Sequence, residues 1–202
     1  MANYNEAEFV AYLPEDRAKN LIEHWDKVES SLQKLDIACH FIEGQFSSKG
    51  KLITTMRAFP TNKASEDSIA RAKKLVELLF LTCLPVPVAV QVAIHDRPCK
   101  VIKLGYSNGG LRARFKIDKE KFDKRKKRFK NHMKKIADLT ETNLYLSGCN
   151  LAVTGRSALG SSVGLLMVKR IAFALFVENM MPENVVQRIE KNKKALLDAG
   201  KL

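Results

Sequence analysis

The chain has 202 residues, 46% hydrophobic and 28% charged, with 35 Lys and Arg against 22 Asp and Glu for a formal charge of +13. That apolar share excludes a mainly disordered chain, and four cysteines are too few for a domain built on disulfides. The most apolar run, residues 165–177, carries Lys169 and Arg170 and falls short of the roughly 20 apolar residues of a membrane span, while residues 1–10 lack the basic start of a secretory signal.

Residues 9–35 are expected to form a first helix after a short lead-in. Leu21, Trp25, Val28, Leu32 and Leu35 recur at helical spacing, and Pro14 with Glu15 and Asp16 marks its start. Trp25 lies on that stripe and is read as core rather than as a docking residue. Residues 37–46 and 51–59 read as strands of a hairpin turning at 47–50. Ser65, followed by Glu66 and Asp67, caps a helix to residue 81 with Ile69, Ala72, Leu75, Val76 and Leu79 as its apolar stripe. Pro85 and Pro87 stop it and open a short apolar helix, 87–94, and residues 101–104 read as a third strand.

After a turn at 106–110 comes the basic segment. Residues 112–135 hold 13 basic and 3 acidic residues, against 14 and 13 in residues 1–111 and 8 and 6 in residues 136–202. Nearly all the excess charge is therefore local. Phe122 and Phe129 are seven residues apart, so they share one side of a helix whose remaining surface is basic. Such a helix suits a phosphate backbone, which would offset the repulsion of like charges at i,i+4. A solvated face or a nuclear-import signal is the plainer alternative. A second short helix is expected at 133–139, then strands at 143–147 and 151–154 joined at 148–150, and a long helix at 157–181 with Leu165, Val168, Ala172, Leu175 and Phe176 inward. A last amphipathic helix, 183–197, looks exposed; its Ile189, Leu196 and Leu197 either fold back or form a partner face. Counted from the strand at 101–104, the order β-α-α-β-β-α is that of a type I KH domain.

The search for other chemistry finds little. Cys39, Cys83, Cys99 and Cys149 contain no Cys-x-x-Cys pair, and adjacent Cys39 and His40 point to opposite sides of a strand. Buried thiols in a reducing compartment are expected rather than zinc. Residues 155–162 (GRSALGSS) follow a strand and open a helix but lack the lysine of a nucleotide-binding loop. Gly160 and Gly164 are better explained by close helix packing. His95 and Asp96 beside Arg97 form a loop cluster with no third catalytic member.

The residues resemble a known family. Residues 69–79 (IARAKKLVELL), 84–90 (LPVPVAV) and 99–105 (CKVIKLG) are similar, in order and spacing, to the KRR-R motif-containing components of the small-subunit processome, eukaryotic ribosome-assembly factors with two KH-like domains. Residues 40–44 (HFIEG), 120–128 (EKFDKRKKR), 139–145 (LTETNLY) and 157–160 (SALG) are similar to further segments, so the resemblance covers roughly residues 8–180. The family has a Gly-x-x-Gly loop after its basic run. Residues 129–133 (FKNHM) stand there without a glycine, and residues 182–202 are not expected to supply the contacts of the family's long basic C-terminal tail. Close approach of the backbone to phosphates needs that glycine.

The resemblance implies an α/β (α+β) fold of two tandem KH-like domains packed as one unit, the second with a degenerate loop. Residues 1–98 would be a first, degenerate domain that binds protein, 99–181 the second domain with the basic helix, and 182–202 a C-terminal helix. The expected function is a non-catalytic assembly factor in the nucleus and nucleolus, without cofactor, metal, membrane or small-molecule substrate. It would bind precursor small-subunit rRNA through Arg112, Arg114, Lys121, Lys124, Arg125, Lys126, Lys127, Arg128, Lys130, Lys134 and Lys135, and other assembly factors and ribosomal proteins as partners. Each cation would position the protein on phosphates rather than read bases. The alternatives are the related two-KH factor that partners the rRNA dimethyltransferase, and a protein adaptor whose basic segment is only an import signal. An RNA-acting enzyme is disfavoured, because no carboxylate pair or nucleophile–base set is visible.

Overall fold

The computed structural model describes residues 9–13, 20–46, 52–81, 84–105, 109–156 and 161–198. The chain divides into two compact units, Met1–Arg97 and Pro98–Leu202.

The first unit begins with a strand, not a helix. Phe9–Leu13 forms β1 and pairs antiparallel with the later strand β3, Leu52–Pro60, Phe9 opposite Ala58 and Leu13 opposite Thr54. Aromatic and branched residues favour extension, and a residue before proline, as Leu13 is, disfavours helix. Residues 14–19, including Pro14, lie outside the described residues. Helix starts at residue 20, turns at Glu23 and His24, and continues as α1, Trp25–Gln33. Trp25 is half-buried; Leu21, Val28 and Leu32 carry the core contact. Strand β2, Ile37–Phe46, is the other neighbour of β3 and bulges between Ile42 and Gln45, where Glu43 and Gly44 sit. Helix α2, Glu66–Leu81, is capped as expected: Ser65 Oγ accepts from Ser68 N at 3.1 Å. Helix α3, Val86–Ile94, closes the unit. Asp96 pairs with Arg71 (3.1 Å) and Lys74 (3.6 Å), and Arg71 also donates to the Ile94 carbonyl at 2.8 Å. The His95–Arg97 cluster thus ties α2 to the end of α3.

The second unit contains β4 (Cys99–Lys103), a one-turn helix α4 (Leu111–Arg114), α5 (Lys119–Thr140), β5 (Thr142–Ser147), β6 (Asn150–Gly155), α6 (Ser161–Phe176) and α7 (Pro182–Asp198). The two helices expected across the basic segment are one helix of 22 residues. No Gly or Pro interrupts it, and Ile136 extends the Phe122–Phe129 spacing by seven more. Phe122, Phe129 and Ile136 are all buried, so core packing runs unbroken beneath the helix. The break expected at residues 129–133 is therefore absent. Helix α7 is also less exposed than expected: Val185 and Val186 are buried and Ile189 packs against the same core. Leu196 and Leu197 lie on side chains outside the description.

The units repeat one plan. Both sheets are antiparallel, with strand orders β1-β3-β2 and β4-β6-β5, so the last strand lies in the middle of each. Each plan is strand, helix, two strands, two helices, with α4 inserted in the second unit. In the second unit β5 is consequently an edge strand beside α5.

Candidate nucleic-acid interface

Helix α5 carries the basic residues, and local chemistry fixes where it starts and ends. Asp118 is its N-cap, accepting from Glu120 N at 2.8 Å and Lys121 N at 3.3 Å. Those backbone donors, Lys121 first and Glu120 second, hold the Asp118 carboxyl below the usual carboxylate range. Glu141 ends the helix in the left-handed region at φ 53°. Between these caps, 3.6 residues per turn distribute the cations around the surface left free by Phe122, Phe129 and Ile136.

The eleven expected contacts separate into groups once the helix is seated. On the side facing α6 and α7 the cations are occupied. Arg125 donates to the Phe176 carbonyl at 2.5 Å, Arg128 reaches Met181 Sδ at 3.6 Å, and Lys135 lies 3.6 Å from Glu190. His132 Nε2, on the same side, lies 3.1 Å from Glu183. Lys124 pairs with Glu120 within the helix at 2.7 Å. Arg112 is half-buried: its Nε donates to the Ile117 carbonyl at 3.2 Å and its guanidinium stands 5.9 Å from the Phe122 ring centre. Arg114 lies over Phe115, 5.5 Å from the ring centre. Lys126 donates to the carbonyl of Gly148, in the β5–β6 turn.

The side chains of Lys121, Lys127, Lys130 and Lys134 are exposed and make no hydrogen bond or ion pair to a described residue. Lys127, Lys130 and Lys134 follow at spacings of three and four, so they line one face. Lys126, on the same flank, shows that this face is the one toward the β5–β6 hairpin. Beside it lies a groove of about 260 Å³ walled by Met133, Lys134 and Ala137 of α5 and by Asn143, Leu144 and Tyr145 of β5. The strand wall is a set of residues that sequence reasoning missed, since only the sheet order makes β5 an edge. A larger cavity of about 540 Å³ lies between α6 and α7, walled by apolar residues such as Leu166, Phe173 and Val185 and also by Lys169, Arg170, Arg188 and Glu178. The smaller groove is the one that adjoins the basic helix, with Lys134 of the exposed lysine row in its wall and no carboxylate among its lining residues, whereas Glu178 lines the larger cavity.

Other expectations resolve as follows. Gly164 packs against the α5–β5 turn, where a Cβ would collide with the Thr140 carbonyl; Gly160 lies outside the described residues. Cys39 is buried, Cys99 half-buried and Cys149 exposed, so the thiols are not uniformly buried; Cys83 lies outside the description. Burial, and secondarily Glu29, pushes the Cys39 thiol up to about 11. Among the described residues no three or more His, Cys, Asp or Glu are grouped to hold a metal, and no helix is long and apolar enough to cross a membrane.

No family model matches the chain. Solved structures do. A protein of unknown function from Aeropyrum pernix superposes with a TM-score of 0.63 at 13% identity, over 99% of this chain and 96% of that one. Dim2p from Pyrococcus horikoshii gives 0.54 at 13%, over 92% of this chain and 99% of that one. Dim2p in a complex with a/eIF2alpha and rRNA from the same organism gives 0.54 at 14%, over 95% and 98%. Likeness at this identity is a likeness of fold, and it agrees with the two repeated strand plans described above. The chain has a KH-like α+β fold.

Proposed function

We propose that this chain is a non-catalytic assembly factor of the small ribosomal subunit, holding precursor rRNA by the lysine face of α5. The observation that carries the proposal is the row Lys127, Lys130 and Lys134, exposed, without partners among the described residues, and set beside a groove on an edge strand. The description of one similar fold as a complex with rRNA and a/eIF2alpha supports RNA and protein partners. In this reading the first unit, with 12 basic and 13 acidic residues in positions 1–97, receives other assembly factors and ribosomal proteins. The resemblance to the KRR-R motif components adds the finer assignment: the small-subunit processome, and hence the nucleus and nucleolus.

Gradient sedimentation of the tagged protein from cells tests the proposal. It is expected to travel with small-subunit precursor particles and to leave them when Lys127, Lys130 and Lys134 are changed to Ala. Sedimentation free of such particles would contradict the reading. Particle association that the triple change leaves intact would reassign the lysine face to import or to an acidic protein.

A further inference from the structure

We infer that the RNA held by α5 is base-paired, gripped through its phosphates, and not a single strand threaded along the groove. The inference rests on the RNA-binding reading above and names the kind of RNA.

The first ground is the backbone. A KH domain clamps a single strand with amides of a glycine loop between two helices. Here residues 129–133 are in mid-helix, so their N–H groups bond to carbonyls four residues back. The remaining helix connection, residues 115–118, is closed as well. Lys116 N donates to the Ala113 carbonyl (3.3 Å) and Ile117 N to the Arg112 carbonyl (3.0 Å). The amides opening α5 are taken by the Asp118 carboxylate, which puts a negative charge where a phosphate would otherwise dock. The amides of residues 115–117 and those opening α5 are thus committed within the fold and do not form a clamp for a strand.

The second ground is stacking. Unpaired bases are bound largely by stacking on exposed aromatic rings. The aromatics of α5, Phe122 and Phe129, are 2% and 0% exposed, and the exposed Phe115 and Phe173 pack edge to face with ring centres 5.3 Å apart, Arg114 lying over Phe115. Tyr145, half-buried, is the aromatic of the groove, whose volume of about 260 Å³ leaves little room for a run of splayed bases.

The third ground is the shape of the charge. Lys127 to Lys134 rise about 10.5 Å along a convex rod at 1.5 Å per residue. Lys119 and Lys126 extend the band, with Asp123 on the same face. Ammonium groups on flexible stems, radiating from a rod, reach successive phosphates without reading bases. Duplex RNA is recognised in this way, by shape and backbone.

Fluorescence anisotropy of the full chain with an 18-base-pair RNA duplex, with either separated strand and with an 18-nucleotide uridine strand is the test. The duplex should bind more tightly than any strand at every salt concentration, whatever its sequence. Changing Lys127, Lys130 and Lys134 to Ala should lower the slope of log affinity against log salt by about 2.7, at roughly 0.9 per phosphate contact. A control with equal charge loss in the first unit, K34A/K63A/K73A, should leave the slope in place, and thermal melts of both variants report folding. A strand bound as tightly as the duplex would overturn this inference and leave the RNA-binding proposal standing. Binding of neither RNA would overturn both.

Discussion

Arg125 donates a 2.5 Å hydrogen bond to the backbone carbonyl of Phe176, the last residue of α6. A cation from the densest basic run thus satisfies a carbonyl that the helix itself leaves open and complements its negative end. Arg125 is therefore a structural residue. Arg125→Ala is expected to lower stability in urea by about 1.5–3 kcal/mol, as for a lost hydrogen bond to a charged group. RNA affinity of the folded variant should change far less than for Lys127→Ala. The reverse ranking would show that Arg125 faces the ligand.

Gly164 permits a close approach of α6 to the α5–β5 turn. A Cβ there would collide with the Thr140 carbonyl and come within 2.9 Å of Thr142 Cγ2. Both threonines are fixed: Thr140 Oγ1 donates to the Ile136 carbonyl (2.7 Å), and the two hydroxyls share a bond of 2.8 Å. Gly164→Ala should destabilise the protein by about 1–3 kcal/mol, the usual range for overpacking. An unchanged urea midpoint would mean that α6 shifts freely.

Asp118 links the helix start to pH. Its carboxyl is held below its unfolded value, so its contribution is present above about pH 4, the unfolded carboxylate range, and is lost as pH falls through the lower folded value. Asp118→Asn keeps an acceptor for Glu120 N and Lys121 N but removes the titration. Thermal melts should show a smaller loss of stability on acidification below pH 4 in this variant than in the wild type. Parallel curves would place the acid sensitivity elsewhere.

The cysteines should differ sharply in reactivity. Cys39 is buried and its thiol is raised to about 11, whereas Cys149 is exposed in the β5–β6 turn. Because the thiolate is the nucleophile, iodoacetamide at pH 8 should label Cys149 in the native protein and Cys39 only after unfolding. Prompt native labelling of Cys39 would show that the first sheet opens.

These positions show which parts of the structure local sequence expresses. Ser65 before Glu66 and Asp67 announces a helix start, and residues 142–155 show two strands around Gly148, because capping and turn chemistry are local. Residues 9–13 are different. Phe-Val-Ala-Tyr-Leu is apolar throughout, without the alternation that marks a half-buried strand, and only its pairing with β3 makes it one. The break expected at residues 129–133 came from resemblance to a helix–loop–helix. The chain itself carries the contrary signal, Phe122, Phe129 and Ile136 at intervals of seven with no breaker between.

The concentration of charge at residues 112–135 was legible in the sequence, but its division between cations held by the fold and exposed lysines was not. Lys127 and Arg125 look alike in sequence. One points to solvent and the other to the end of α6, and that difference follows from helix rotation against α6 and α7. Asn143, Leu144 and Tyr145 join the site only because β6 takes the centre of the sheet and leaves β5 at its edge.

The most direct test of the account is ultraviolet cross-linking of the tagged protein in cells, with sequencing of the attached RNA. The account predicts reads concentrated on precursor small-subunit rRNA, greatly reduced by K127A/K130A/K134A and retained with R125A among molecules that remain folded. Cross-links that survive the triple change would contradict the claim that the lysine face of α5 holds RNA.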